Sequence, residues 1–258
     1  MISSLLQLDA VTMQFGGLRC VSDFSFSVNQ GELVGLIGPN GAGKTTVFNL
    51  ITGVYRPTSG NITFAGKSVV GNRPYRITAR GIARTFQNIR LFGSLNVFGN
   101  VQTACNMHLR HGISHALLRA GGFAREENEI ESRIVELLEI FGLVAERDNS
   151  CRSLSYGDQR RLEIIRALAT RPKLLLLDEP AAGMNPTEKI ELMKLIQFTQ
   201  EKFGLTVLLV EHDMRVVMGI CQRIAVLDYG RKIAEGTADE IRHDPKVIAA
   251  YLGNEADA

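Results

Sequence analysis

An α/β fold with a mainly parallel core sheet, an antiparallel β region and an inserted helical segment is predicted by three features of the 258-residue sequence. The runs Leu33–Ile37, Leu174–Asp178 and Thr206–Val210 are short and almost wholly apolar, as strands buried on both faces of a sheet are. Helical patterns lie between strands, and that alternation gives a parallel core wound by helices. From about residue 95 to 170 the pattern becomes helical throughout, with no convincing strand.

Each element follows from local pattern. Residues 5–11 and 21–30 alternate apolar and polar, as in Val21, Phe24, Phe26 and Val28, and predict antiparallel strands. Leu33–Ile37 runs into a Gly-rich turn. A helix is expected from about Lys44 to Thr52, stopped by Gly53 and by the turn signals Pro57 and Gly60. In the helical stretch, Ile130, Ile134, Leu137, Leu138 and Phe141 fall at helical spacing, and Gly142 is a plausible stop. Leu162, Ile165, Leu168 and Ala169 form another apolar face, while residues 106–124 are only loosely patterned.

Bulk properties narrow the function classes. Hydrophobic residues make up 45% and charged residues 22%, ordinary for a globular protein. A net charge of +2 gives no basis for electrostatic capture of nucleic acid or anionic lipid. Cys20, Cys105, Cys151 and Cys221 are far apart and form no C-x-x-C pair, which argues against zinc and fits reduced thiols in a cytosol. The N-terminal segment lacks a basic region and does not read as a signal peptide. No apolar run approaches the roughly 20 residues of a membrane helix, so a membrane role is expected through partners.

Two motifs carry chemistry. Gly38-Pro39-Asn40-Gly41-Ala42-Gly43-Lys44-Thr45-Thr46 matches G-x-x-x-x-G-K-[ST]. Phosphate oxygens need many donors at close range; glycines let backbone N–H groups curl around them, and a helix N-terminus adds its dipole. Lys44 is expected to reach the β- and γ-phosphates of ATP and the Thr45 hydroxyl to ligate Mg2+. The second motif is Leu174-Leu175-Leu176-Leu177-Asp178-Glu179-Pro180. A carboxylate at the end of a buried strand is costly unless it meets a cation, so Asp178 is expected to hold Mg2+ through water. Glu179, one residue on, is placed to polarise the attacking water as general base. Alone, a strand followed by Asp-Glu is common; downstream of a phosphate loop it gains meaning.

With these motifs in place, residues 5–252 closely resemble the ATP-binding cassette family of P-loop NTPases. Leu154-Ser155-Tyr156-Gly157-Asp158 stands where that family has its LSGGQ signature. Gln87, in Thr85-Phe86-Gln87, looks like the glutamine that senses Mg2+ and links to the transport partner. His212, in Val210-Glu211-His212-Asp213, looks like the switch histidine at the γ-phosphate. Phe15, in Gln14-Phe15-Gly16, looks like the aromatic residue that stacks on adenine. The resemblance implies catalytic roles for Glu179, His212 and Lys44. It also implies a RecA-like lobe plus β subdomain over about residues 1–94 and 171–258, a helical subdomain over about 95–170, and a dimer in which Ser155 and Gly157 close over the partner's nucleotide. By themselves, Phe15 reads as a core aromatic, His212 as a loop histidine, and Ser155 as the N-cap of the apolar run that follows.

Two departures from the family pattern matter. Tyr156 and Asp158 replace the first glycine and the glutamine of LSGGQ, and Asn185 stands where many relatives have aspartate. His108, His111 and His115 have helical spacing but no carboxylate close enough to complete a convincing metal site, and a solvated or partner-facing helix is the plainer reading.

The segments around the signature and Glu179, and the tail from Asp244 to Gly253, resemble the ATPase subunits of branched-chain amino acid importers. That resemblance implies two integral-membrane permeases, a second ATP-binding subunit (a copy or a paralogue) and an extracytoplasmic substrate-binding protein. It places the chain at the cytoplasmic face of the inner membrane, peripheral through its partners, with no nucleic acid. The alternatives are urea or amide import, lipopolysaccharide export, or a soluble cassette ATPase. The last is disfavoured by a single cassette without coiled-coil insertions, and a regulator without turnover by the presence of Lys44 and Glu179.

Overall fold

The computed structural model describes residues 4–108 and 123–252. The chain divides into two compact units: one of the chain up to Arg84 together with the chain from Lys173, the other of Thr85–Pro172.

In the first unit, β1 (Ser4–Phe15) and β2 (Leu18–Asn29) form a hairpin about Gly16-Gly17, and β4 (Ser59–Phe64) and β5 (Lys67–Ser68) extend it to an antiparallel sheet of order β2-β1-β4-β5. β1 runs beyond the expected 5–11 at both ends, and β2 starts three residues before the expected 21–30 and ends one residue short of it. The odd step from Val21 to Phe24 has a local cause. Val11 pairs Phe24 while Met13 pairs Val21, so β2 carries an extra residue there, a bulge that turns Val21 and Phe24 to the same buried side.

The second sheet holds β3 (Leu33–Ile37), β6 (Ile82–Arg84), β7 (Leu174–Asp178), β8 (Thr206–Val210), β9 (Arg223–Asp228) and β10 (Arg231–Gly236), in the order β10-β9-β3-β8-β7-β6. All pairs are parallel except β9 with β10. β3, β7 and β8 are buried at every residue, which is why they read as apolar runs. One core cluster joins Leu6, Phe24 and Phe26 of the antiparallel sheet, Val47, Phe48 and Ile51 of helix α1 (Lys44–Ile51), and Val34, Leu176 and Leu208 of the parallel sheet.

α1 ends where its pattern does: Thr52 caps it, and Gly53, at φ +71°, turns the chain out of it. Gly60 is not a turn residue. It lies inside β4 at φ +84°, where a Cβ would collide with the Ala10 carbonyl oxygen, so glycine is what allows β4 against β1. The remaining helices of this unit are α2 (Pro74–Ala79), α6 (Pro186–Phe203), α7 (Met214–Ile220), α8 (Ala238–His243) and α9 (Pro245–Leu252). No described helix is long and apolar enough to cross a membrane.

The second unit is helical: α3 (Val97–Cys105), α4 (Phe123–Ile140) and α5 (Tyr156–Ala169), with single 3-10 turns at Asn106–His108 and Val144–Glu146. Ile134, Leu137, Leu138 and Phe141 are buried, as their spacing requires, and Gly142, at φ +71°, follows the end of α4. Leu162, Ile165, Leu168 and Ala169 are buried along α5.

Candidate nucleotide site

The Gly38–Thr46 segment is a tight loop between β3 and α1. Gly38 sits at φ +151°, and a Cβ there would run into the Leu227 carbonyl oxygen, so no larger residue fits. Gly43 caps α1, and the first turn of that helix leaves N–H groups without intrahelical acceptors. The hairpin between β9 and β10 supports the loop: Gly230 N donates to the Ala42 carbonyl at 2.9 Å. Pro39 and Ala42 are buried, whereas Asn40, Gly41 and Thr45 are exposed and Thr46 is half-buried. The Lys44 side chain folds into the loop, its Nζ donating to the Gly38 and Pro39 carbonyls at 2.7 and 2.9 Å. Burial pulls its pKa below the usual lysine value, against the raising influence of Glu179 and Asp178. The lysine of one motif therefore feels both carboxylates of the other.

Asp178 ends β7 with its side chain only 5% exposed, and its Oδ2 accepts from Arg84 Nη2 at 2.7 Å. Arg84 escaped the sequence reading: it ends a three-residue strand too short for periodicity to register. Glu179 is the residue where the chain leaves the sheet. Its N–H still bonds Val210 O at 2.8 Å, but its backbone lies at φ +48°. Left-handed backbone at a non-glycine residue costs energy and is held in place by the surrounding structure; Ala10, Asp23, Ala65, Arg171 and Tyr229 share it.

His212 is more than half exposed, and its Nδ1 lies 3.7 Å from Glu179 Oε2. Behind it Glu211 is buried at 1% exposure; Oε1 accepts from Ala181 N at 2.8 Å and Oε2 from His212 N at 3.2 Å. Burial raises its pKa, opposed first by the Ala181 N–H. Glu211 thus ties the segment after Glu179 to the segment carrying His212. Like Asp178, Glu211 is a carboxylate at the end of a buried apolar strand, a signal that the sequence carries for both.

Phe15, at the end of β1, is 41% exposed, and its ring meets Tyr55 edge-on at 5.0 Å between centroids. It is a presented aromatic held from one side, not a core residue. Asn185 caps α6 in a reciprocal box with Glu188: Asn185 Oδ1 accepts from Glu188 N at 3.0 Å and Glu188 Oε2 from Asn185 N at 2.9 Å. The amide keeps the cap that an aspartate would also make.

The second unit carries Gln87, Ser155 and Gly157. Ser155 is the N-cap of α5, accepting from Asp158 N at 3.1 Å and donating to Asp158 Oδ2 at 2.8 Å. Asp158, the departure at the fifth signature position, therefore occupies the serine hydroxyl. Gly157 lies in the first turn. One turn further, the sequence hid a buried pair. Arg160 is 2% exposed and Glu163 5% exposed. Arg160 donates to the carbonyls of Phe86 (2.6 Å) and Gln87 and to Tyr156 Oη (3.1 Å). Glu163 Oε1 accepts from the N–H groups of Phe86 and Arg90, both at 3.3 Å. The backbone at Gln87 is therefore pinned to the helix that starts at the signature.

The oxygen donors Thr45 and Asp178 suit a hard cation such as Mg2+, with most of its ligands coming from phosphate and water. Among the described residues no group of three or more His, Cys, Asp or Glu side chains could hold a metal by itself. Of the three spaced histidines, His111 and His115 lie outside the described residues, and His108 ends the 3-10 turn after α3.

An ABC transporter family model matches residues 21–182, and a branched-chain amino acid ATP-binding cassette transporter model matches residues 231–257. The chain is 46% identical over 253 residues to the high-affinity branched-chain amino acid transport ATP-binding protein LivG of Salmonella typhimurium, covering 98% of this chain and 99% of that one. It is 36% identical over 241 residues to the lipopolysaccharide export system ATP-binding protein LptB of Escherichia coli K12, covering 93% and 94%. The solved ADP conformation of MJ1267, an ATP-binding cassette of an ABC transporter, superposes with a TM-score of 0.84 at 29% identity, covering 97% of this chain and 99% of that one.

Proposed function

The chain belongs to the ABC transporter family as an ATP-binding, ATP-hydrolysing subunit, and on that premise we propose that it powers uptake of branched-chain amino acids through partner permeases. The observation that carries the substrate class is the match to the branched-chain amino acid model at residues 231–257, a segment outside the shared ATPase motifs. Identity to LivG exceeds identity to LptB over a similar length, which favours import over lipopolysaccharide export.

The chemistry we assign follows from the first unit. Backbone N–H groups of the Gly38–Thr46 loop and the Lys44 ammonium bind the phosphates, and Phe15 offers its exposed face to adenine. Thr45 and Asp178 would hold Mg2+, which neutralises phosphate charge as the γ-phosphoryl transfers. Glu179 orients the attacking water and accepts its proton, and His212, beside it, donates to the γ-phosphate. Ser155 and Gly157 close over the nucleotide of a second ATP-binding subunit. Two permeases seat the pair at the cytoplasmic face of the inner membrane, and an extracytoplasmic binding protein delivers the substrate.

Reconstitution tests the substrate class. With both permeases in liposomes, leucine-loaded binding protein should stimulate ATP hydrolysis several-fold over the unloaded protein. A system from the same gene neighbourhood that responds to urea or an amide, and not to leucine, isoleucine or valine, overturns it.

A further inference from the structure

We propose that Arg84 is the standing counter-cation of Asp178 and so sets how tightly Mg2+ is held with nucleotide. The proposal rests on the reading of Asp178 as the metal carboxylate.

Both groups are withdrawn from water, with side-chain exposures of 7% for Arg84 and 5% for Asp178, and they meet at 2.7 Å. A buried carboxylate is costly unless it meets a cation, and the Arg84 guanidinium meets this one directly. The guanidinium is also anchored elsewhere. Its Nη1 donates to Asn49 Oδ1 at 2.7 Å, and the group lies over the Phe48 ring, 5.4 Å from the centroid. Phe48 and Asn49 belong to α1, the helix that opens with Lys44 and Thr45. One side chain thus bridges the helix of the phosphate loop and the end of the carboxylate strand.

The anchoring decides the electrostatics. A mobile lysine could swing away when a divalent cation arrives; a guanidinium held by Asp178, Asn49 and the Phe48 face stays. Mg2+ must then share Asp178 with a fixed positive charge, which weakens its hold relative to an unshared carboxylate. The benefit is selectivity. Asp178 is held in place by the pair, yet is too weak a site to collect Mg2+ unless phosphate oxygens complete the shell.

The test measures affinity for a fluorescent ATP analogue against free Mg2+, from EDTA upward, in wild type, Arg84→Met, Arg84→Lys and Asp178→Asn, with thermal melts alongside. Arg84→Met should lower the Mg2+ concentration giving half-maximal tightening by about tenfold, the scale of one adjacent unit charge. It should also melt below wild type in EDTA and gain more from Mg2+ than wild type does. Arg84→Lys, which keeps the charge but loses the fork and can swing away, should shift the midpoint in the same direction as Arg84→Met but by less. If Arg84→Met proves insoluble, Arg84→Gln carries the same expectation. A midpoint that is unchanged or raised on neutralising Arg84, while Asp178→Asn shifts it, overturns the proposal alone. An unchanged midpoint in Asp178→Asn overturns the metal reading of Asp178 and the proposal with it.

Discussion

Nδ1 of His212 stands 3.7 Å from Oε2 of Glu179, two side chains that leave adjacent parallel strands, β8 and β7, at the same end. The sheet thus sets the proposed base beside the proposed γ-phosphate sensor.

Glu179→Gln keeps side-chain shape and removes the charge that orients water. ATP should still bind, and turnover should fall at least about a hundredfold, the usual scale for losing a general base. With hydrolysis blocked, the variant should elute as an ATP-dependent dimer in size-exclusion chromatography. Adding Ser155→Arg should abolish that dimer, since bulk and charge would replace a hydroxyl at the start of α5. Wild-type turnover in Glu179→Gln removes Glu179 as base, and a dimer surviving Ser155→Arg removes the signature from the shared site.

Lys44→Ala should abolish tight ATP binding measured by isothermal titration. The lost ammonium is the buried cation of a loop that must receive several phosphate charges. An unchanged affinity would mean that the Gly38–Thr46 loop is not the phosphate cradle.

Phe15→Ala should weaken ATP by about 1–3 kcal/mol, the range for base–aromatic stacking, with Phe15→Tyr near neutral. Because the ring is exposed and touches Tyr55 on one edge, stability should change far less than affinity. Equal ATP affinity in wild type and Phe15→Ala leaves the residue without a role in binding.

Arg160→Ala should destabilise the second unit by about 3–5 kcal/mol, because it strands Glu163 as a buried charge. Burial already raises the Glu163 pKa, opposed by the Phe86 N–H and then by Arg160, so losing Arg160 raises it further. A carboxyl with a raised folded pKa contributes stability fully below its unfolded pKa and loses it as pH climbs through the folded value. The penalty of Arg160→Ala should therefore be small in acid and grow toward neutral pH, and Glu163→Gln in the same background should flatten that slope. Urea unfolding across pH reads both; a pH-independent penalty contradicts the pairing.

The β1–β2 pair, the core strands β3, β7 and β8, the helical character of the second unit, the glycine loop before α1 and the Asp178-Glu179 step are legible from residues close in sequence, whereas β4, β5, β6, β9 and β10 are not. Burial on both faces forces apolar runs, helical burial forces a 3.6-residue period, and phosphate binding forces glycines at fixed offsets. Gly60 misled because glycine marks turns and close-packed strand positions alike, and only the approach of Ala10 tells them apart. The Arg84–Asp178 pair joins residues 94 apart, and Arg160 reaches Phe86 across 74. Nothing local distinguishes those arginines from solvated ones. Their charges became buried, and their partners fixed, only when strand order and helix packing closed those long loops; that is a property of the tertiary structure, which no short window of sequence contains.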